Sequence, residues 1–283
     1  MMIKFKNMKQ NYKIGVCGVG MVGGAVKDYF ESKNISLFLY DPKKNIGSKD
    51  IINKANIIFL CVPTPYLKDD KGFDLSYIED SCDIMIGSKI LVIKSTVLPG
   101  TTEKLQKKYP QHKFIFNPEF LSELTAYDDM IKPDRQIIGY TQESKNIAED
   151  ILNMLPQAPS SKIMLSTEAE MVKYFNNTFN AIKVIFANQM YDLCQAMGIN
   201  YDNVMEISAK SKFIKTKDHL DVWHKNFRGY GGKCLPKDIR ALIQLADSLN
   251  VDLKLHKVVE DINNKLIDEQ QIEDHERITV RKE

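Results

Sequence analysis

The chain has 283 residues, room for one large or two modest domains. It is 43% hydrophobic, enough for a packed core, and 39 basic residues interleaved with 37 acidic ones leave a formal charge of +2. That balance gives no basic stripe and so excludes nucleic acid as the expected partner.

The opening MMIKFKNMKQNY is polar and reads as a tail before the first strand, with no apolar signal-peptide core. The first half then alternates short apolar runs with amphipathic segments. KIGVCGVG (13–20), ISLFLYD (35–41), ANIIFLCV (55–62), KILVIKST (89–96) and KFIFNP (113–118) read as buried strands, with helices over 21–33 and 74–87 between them. RQIIGY (135–140) and KIMLS (162–166) read as two more strands. Strand, helix, strand repetition predicts a parallel sheet covered on both faces.

Directly after the first strand, Gly18-Val19-Gly20-Met21-Val22-Gly23 opens a helix with GxGxxG spacing, and Asp41 ends the next strand 18 positions beyond Gly23. Glycines there let a pyrophosphate sit on the helix N-terminus, and the carboxylate is placed to accept hydrogen bonds from a ribose. An acidic residue repels a 2′-phosphate, so the expected cofactor is NAD rather than NADP. The strand ends CVPTP (61–65) and KSTVLPGTT (94–102) put Thr64, Ser95 and Thr96 where ligands bind in such sheets, although these residue types also make ordinary turns. NPEFLSE carries Glu119 and Glu123 just past another strand end.

From Thr167 the pattern changes. No proline and no glycine interrupts the chain before Gly198, which predicts one helix of about 30 residues and roughly 45 Å. Thr167 with Glu170 reads as a capping box, and Gly198 as the stop. Lys173 and Asn177 are four apart and share a face, though a lone helical lysine is ordinarily a surface residue. A short helix (about 202–210), an irregular stretch (211–230) and helices from Leu235 and about Leu255 complete the chain. The expected fold class is α/β: a Rossmann-type doubly wound parallel sheet over 11–166, then a long connecting helix and a small helical domain over 167–283.

In YGGKCLPKD (230–238) paired glycines permit close approach to the backbone, and LPKD reads as a first helical turn. Cys234 is then expected at a helix N-terminus, whose macrodipole, with Lys237 nearby, favours a nucleophilic thiolate. A buried, inert thiol is the other reading of a lone cysteine. Asp238 lies four residues on. The five cysteines (17, 61, 82, 194, 234) form no CxxC pair or Cys/His cluster, so no metal is expected and the thiols read as reduced. No apolar run approaches the ~20 residues that span a bilayer. The expectation is a cytoplasmic protein with no membrane partner.

GVGMVG, VPTP, KSTVLPGTT, FNPEFLSE, PDRQIIG, AEMVKYFNNTF and GYGGKCLPKD occur in that order. With them the chain, from about residue 13 to about 265, resembles the UDP-glucose/GDP-mannose dehydrogenase family. The resemblance implies an NAD-dependent, four-electron oxidation of a nucleotide-sugar C6 alcohol to the uronate, with UDP-glucose the first expectation. A first NAD takes hydride from C6, the Cys234 thiolate adds to the aldehyde as a thiohemiacetal, a second NAD takes another hydride, and water hydrolyses the thioester. By motif position the resemblance gives Lys173 and Asn177 the developing oxyanion, Asp238 the orientation of the thiol or water, Glu119 acid–base work in hydrolysis, and Thr96 a water. It assigns Gly18, Gly20, Met21, Val22, Gly23, Asp41, Thr64, Thr96, Glu123 and Lys237 to the cofactor. Glu119, Phe120, Leu121, Lys173, Asn177, Tyr230 and Gly231 fall to the nucleotide-sugar substrate. It further implies a homodimer formed through the long helix.

The resemblance further implies a third domain that contributes nucleotide contacts, and none is expected within the residues up to Glu283. KDHLDVWHKNFR, within the 211–230 stretch, also departs from the family pattern. Trp223, His224 and Arg228 there read either as replacement contacts or as an anchored loop. Three alternatives stay open: the same chemistry on GDP-mannose or a UDP-N-acetylhexosamine, a two-electron β-hydroxyacid dehydrogenase, which needs no thiol, and an inactive dinucleotide-binding protein.

Overall fold

The computed structural model describes residues 12–67, 72–121, 125–224 and 227–272, the side chain of His224 excepted. The chain forms two compact units, Met1–Thr64 with Phe73–Lys173, and Pro65–Gly72 with Tyr174–Glu283.

The first unit is built on a seven-stranded sheet. In chain order it contains β1 (Ile14–Cys17), α1 (Met21–Ser32), β2 (Phe38–Tyr40), α2 (Lys49–Ile52), β3 (Ile57–Leu60), α3 (Ser76–Asp83), β4 (Ile90–Ile93) and α4 (Thr101–Lys108). There follow β5 (Lys113–Phe116), α5 (Ala126–Ile131), β6 (Arg135–Tyr140), α6 (Ala148–Met154) and β7 (Ser160–Leu165). The strand order is β2-β1-β3-β4-β5-β6-β7. Side chains alternate across the central strands: Phe59, Val92 and Ile115 enter one core with Val26 and Phe30, while Ile58, Leu91 and Phe114 enter the other with Ile78 and Leu105. A sheet apolar on both faces must be covered on both, which is why these strands read as unbroken apolar runs.

The β5–β6 pair is antiparallel, and β7 then runs parallel to β6. The expected all-parallel sheet is corrected there. A run buried on both faces carries the same pattern in either direction, so residue type does not record strand polarity.

Helix α7 (Ser166–Ala196) passes from the first unit into the second, which adds α8 (Tyr201–Ser208), a short hairpin of β8 (Trp223–His224) and β9 (Phe227–Arg228), α9 (Leu235–Ser248) and α10 (Lys254–Glu269). The capping box is not the expected one. Glu168, not Glu170, reaches back to accept the Leu165 N–H at 3.0 Å. The Glu170 carboxylate instead caps α4, accepting from Gly100 N at 2.5 Å and from Thr102 N and Oγ1 at 2.8 and 2.6 Å. The second unit holds two small cores, one around Ile185, Tyr230, Ile239 and Val259, the other around Cys194, Tyr201 and Leu220.

Candidate active site

The glycine loop has three different glycines. Gly18 has φ +85°, and a Cβ on it would meet the Cys61 carbonyl oxygen at 2.7 Å; one on Gly23 would overlap the Gly18 carbonyl oxygen at 1.8 Å. These two let the loop pack against β3 and let α1 start under it. A Cβ on Gly20 would meet nothing within 4 Å. Gly20 caps α1 with no side-chain hydrogen bond, so the first-turn N–H groups are left for an anion, beside exposed Met21 and half-buried Val22.

A cavity of about 590 Å³ opens at this loop, lined among others by Gly18, Gly20, Asp41, Cys61, Val62 and Tyr77. Asp41 is pinned rather than mobile. One oxygen accepts Val19 N at 2.8 Å, and the other accepts Lys43 N and Lys44 N at 3.1 and 3.2 Å. A carboxylate has about four acceptor positions, so one remains for a ribose hydroxyl. A glycine cradle, an uncapped helix N-terminus and a wall carboxylate fit a dinucleotide.

At the neighbouring strand end, Thr64 Oγ1 donates to the Thr96 carbonyl at 2.7 Å and Ser95 Oγ donates to the Val62 carbonyl at 2.6 Å. These bonds tie the loops after β3 and β4 together and use the Thr64 hydroxyl proton. Thr96 is half-buried.

Beyond β5 the first unit assembles a buried charged cluster. Lys173 Nζ donates to Glu119 Oε1 at 2.8 Å and to the Glu119 carbonyl at 2.7 Å. Leu121 N donates to the other carboxylate oxygen at 2.9 Å. Burial, the largest single influence, pushes the Glu119 carboxyl up, but the Lys173 ammonium, the Leu121 N–H and Lys94 together hold the group below its ordinary value. Two cations approach the Phe120 ring, the Arg135 guanidinium at 3.9 Å and the Lys173 ammonium at 5.5 Å from its centroid. Glu123 lies outside the described residues.

Lys94, which sequence reading passed over, belongs to the same cluster. It is 4% exposed, and its Nζ donates to Asn117 Oδ1 at 2.7 Å. Asn117 in turn donates to the Ile137 carbonyl at 2.9 Å. Burial pushes the Lys94 ammonium down to about 8, with Lys173 acting the same way and Cys61 and Glu119 opposing. The signal was a lysine inside the run KILVIKST, at the end of a strand otherwise buried.

The second unit carries the thiol. Cys234 is exposed and is the N-cap of α9, with Asp238 N bonded to its carbonyl at 3.0 Å. Asp238 is wholly buried in the first turn, accepting Asn177 Nδ2 at 2.6 Å on one oxygen and Lys237 Nζ at 2.5 Å on the other. Lys173 and Asn177, one helical turn apart on α7, are thus each bound to a carboxylate of their own unit. Gly231 is buried. The Tyr230 side chain is 1% exposed and its hydroxyl donates to Glu260 at 2.7 Å, so it is fixed inside the unit. Arg228 pairs with Asp192 at 2.7 Å and donates to Asn188 at 3.0 Å, an anchoring role, while Trp223 is exposed.

None of the described cysteines is in a disulfide, no group of three metal-binding side chains lies among the described residues, and none of the described helices is long and apolar enough to cross a membrane.

Residues 43–155 match the NAD binding domain of the UDP-glucose/GDP-mannose dehydrogenase family, and 167–265 match its central domain. UDP-glucose 6-dehydrogenase of Rickettsia typhi is 34% identical over 227 residues, 76% of this chain and 50% of that protein. GDP-mannose 6-dehydrogenase of Pseudomonas syringae is 32% identical over 225 residues, 73% of this chain and 50% of that protein. Among solved structures, a UDP-glucose dehydrogenase from the archaeon Pyrobaculum islandicum superposes with a TM-score of 0.77 at 26% identity, over 94% of this chain and 72% of that one. The chain spans about half the length of the curated relatives it matches. Its cofactor is NAD, and the chain belongs to the UDP-glucose/GDP-mannose dehydrogenase family.

Proposed function

We propose that this chain is a cytoplasmic nucleotide-sugar 6-dehydrogenase that oxidises UDP-glucose to UDP-glucuronate through a thioester on Cys234. The observation that carries the reading is the exposed Cys234 at the N-terminus of α9, immediately after a glycine-rich turn, in a family whose cofactor accepts hydride. A two-electron alcohol oxidation has no use for such a thiol; a four-electron oxidation does, because the aldehyde must be held between its two steps.

Bound NAD supplies the hydride acceptor in both oxidations. Lys173 and Asn177 are fixed donors for the C6 oxygen as it gains charge, held in place by Glu119 and Asp238. The Cys234 sulfur attacks C6 of the aldehyde, and the carbonyl oxygen takes a proton to give the thiohemiacetal. Loss of hydride and of that proton leaves the thioester. Glu119, kept ionised by Lys173, accepts a proton from the water that breaks the C–S bond, releasing the uronate and the thiol.

GDP-mannose is the second reading, because a GDP-mannose enzyme stands among the relatives at almost the same identity. Initial rates with UDP-glucose, GDP-mannose and UDP-N-acetylmannosamine separate them: UDP-glucose is expected to be fastest, and a higher kcat/KM for another sugar reassigns the substrate.

The functional unit we infer is a homodimer paired through α7. Phe175, Phe179, Phe186 and Leu193 are all more than half exposed and recur along one face of that helix, and exposed Met197 follows directly after it. A stripe of this length marks an interaction surface.

A further inference from the structure

Helix α10 (Lys254–Glu269) reads the backbone that leads to Cys234. Asn263 Oδ1 accepts Tyr230 N at 2.7 Å, and its Nδ2 donates to the Tyr230 carbonyl at 3.0 Å. Gln270, at the C-terminus of α10, repeats the pattern on Arg228, accepting its N–H at 2.7 Å and donating to its carbonyl at 3.0 Å. Two side-chain amides thus each pair with both backbone groups of one residue, on either side of a bend at Gly229. Gly229 lies between them with φ +90°, and a Cβ there would meet Asn263 Oδ1 at 2.7 Å. Only glycine permits this approach.

The same helix also holds the element that begins at the thiol. Glu260 accepts the Tyr230 hydroxyl on one oxygen and Arg240 on the other, and Arg240 also donates to Asn264 at 3.0 Å. Arg240 belongs to α9, the helix that Cys234 caps. Residues 228–230 before the cysteine and the helix after it are therefore both tied to α10, leaving Gly231, Gly232 and Lys233 as the span between fixed points. Gly232, with φ +77°, makes the turn in that span. Asn263 is 2% and Glu260 8% exposed, so these are interior contacts rather than surface decoration.

We propose that Asn263 and Gln270 are positioning residues for Cys234, holding the segment before it so that the thiol stays at the N-terminus of α9. The proposal rests on the reading of Cys234 as the reacting thiol. It is tested on the full chain by the pH profile of Cys234 carboxamidomethylation with iodoacetamide, followed on its tryptic peptide by mass spectrometry. The parent is expected to show a midpoint below the ordinary thiol value of about 8.5. Asn263→Leu is expected to move the midpoint up by about half to one unit, slowing the reaction at pH 7 about 3- to 10-fold, with NAD affinity unchanged. Gln270→Leu, farther from the thiol and less buried, is expected to shift it the same way by less, and answers the question if Asn263→Leu does not fold. A lowered parent midpoint that both variants retain overturns the positioning role alone. A parent midpoint near 8.5 overturns the reading of Cys234, and the positioning role with it.

Discussion

At Gly20 a Cβ would point into open space, whereas at Gly18 and Gly23 it would strike backbone carbonyl oxygens. Gly18→Ala also has to hold an alanine at φ +85°, which costs about 1–2 kcal/mol before the clash is counted. Gly18→Ala is therefore expected to lower the melting temperature, while Gly20→Ala keeps it and weakens NAD at least tenfold. Thermal melts and NAD titration calorimetry check both, and equal NAD affinity in Gly20→Ala would count against the cradle. Lys94 makes a second residue-scale test. Its pKa falls from 10.5 to about 8 on folding, so below pH 8 burial of the ammonium costs stability in full. Between pH 8 and 10.5 the unfolded chain binds a proton that the folded chain does not, and stability rises with pH by about 1.4 kcal/mol per unit. Urea melts of the parent and Lys94→Met are expected to diverge in the parent's favour across that window; a constant difference contradicts the buried charge.

Among the elements, α4 and α7 show where local reading stops. Glu170 looks in sequence like the partner of Thr167, three residues away, yet it caps a helix some 70 residues earlier. Glu170→Ala leaves Gly100 N and Thr102 N without that acceptor and is expected to cost about 2 kcal/mol in urea unfolding. A loss below about 0.5 kcal/mol would mean the α4 N-terminus finds other partners. The glycine loop, the strands and the long helix were legible because each is set by residues within a turn or two of one another. Lys94 and Asn117 were not, being 23 apart and joined only when β4 and β5 lie in register. Nor were the amide pairs of Asn263 and Gln270, which need α10 to lie against residues 33 and 42 positions earlier. The direction of β6 escaped for a different reason, since a strand buried on both faces records no polarity. Sequence motifs thus named the candidate side chains, and the contacts that hold them came only with the fold.

For the whole molecule, the apolar face of α7 bears on assembly. The parent is expected to elute as a dimer by size exclusion with light scattering, and Phe175→Ser with Phe179→Ser to be a monomer with unchanged helical content. A monomeric parent at tens of micromolar would assign that face to another partner. The central claim is that Cys234 carries the sugar between two oxidations. The most direct measurement is NADH formed per UDP-glucose consumed, for the parent and for Cys234→Ser. The expected result is two NADH per UDP-glucuronate in the parent, and in Cys234→Ser either no turnover or a stall before the uronate. Two NADH per sugar from Cys234→Ser at the parent's rate would contradict the thioester route, and one NADH from the parent with free aldehyde released would place the chain among two-electron dehydrogenases.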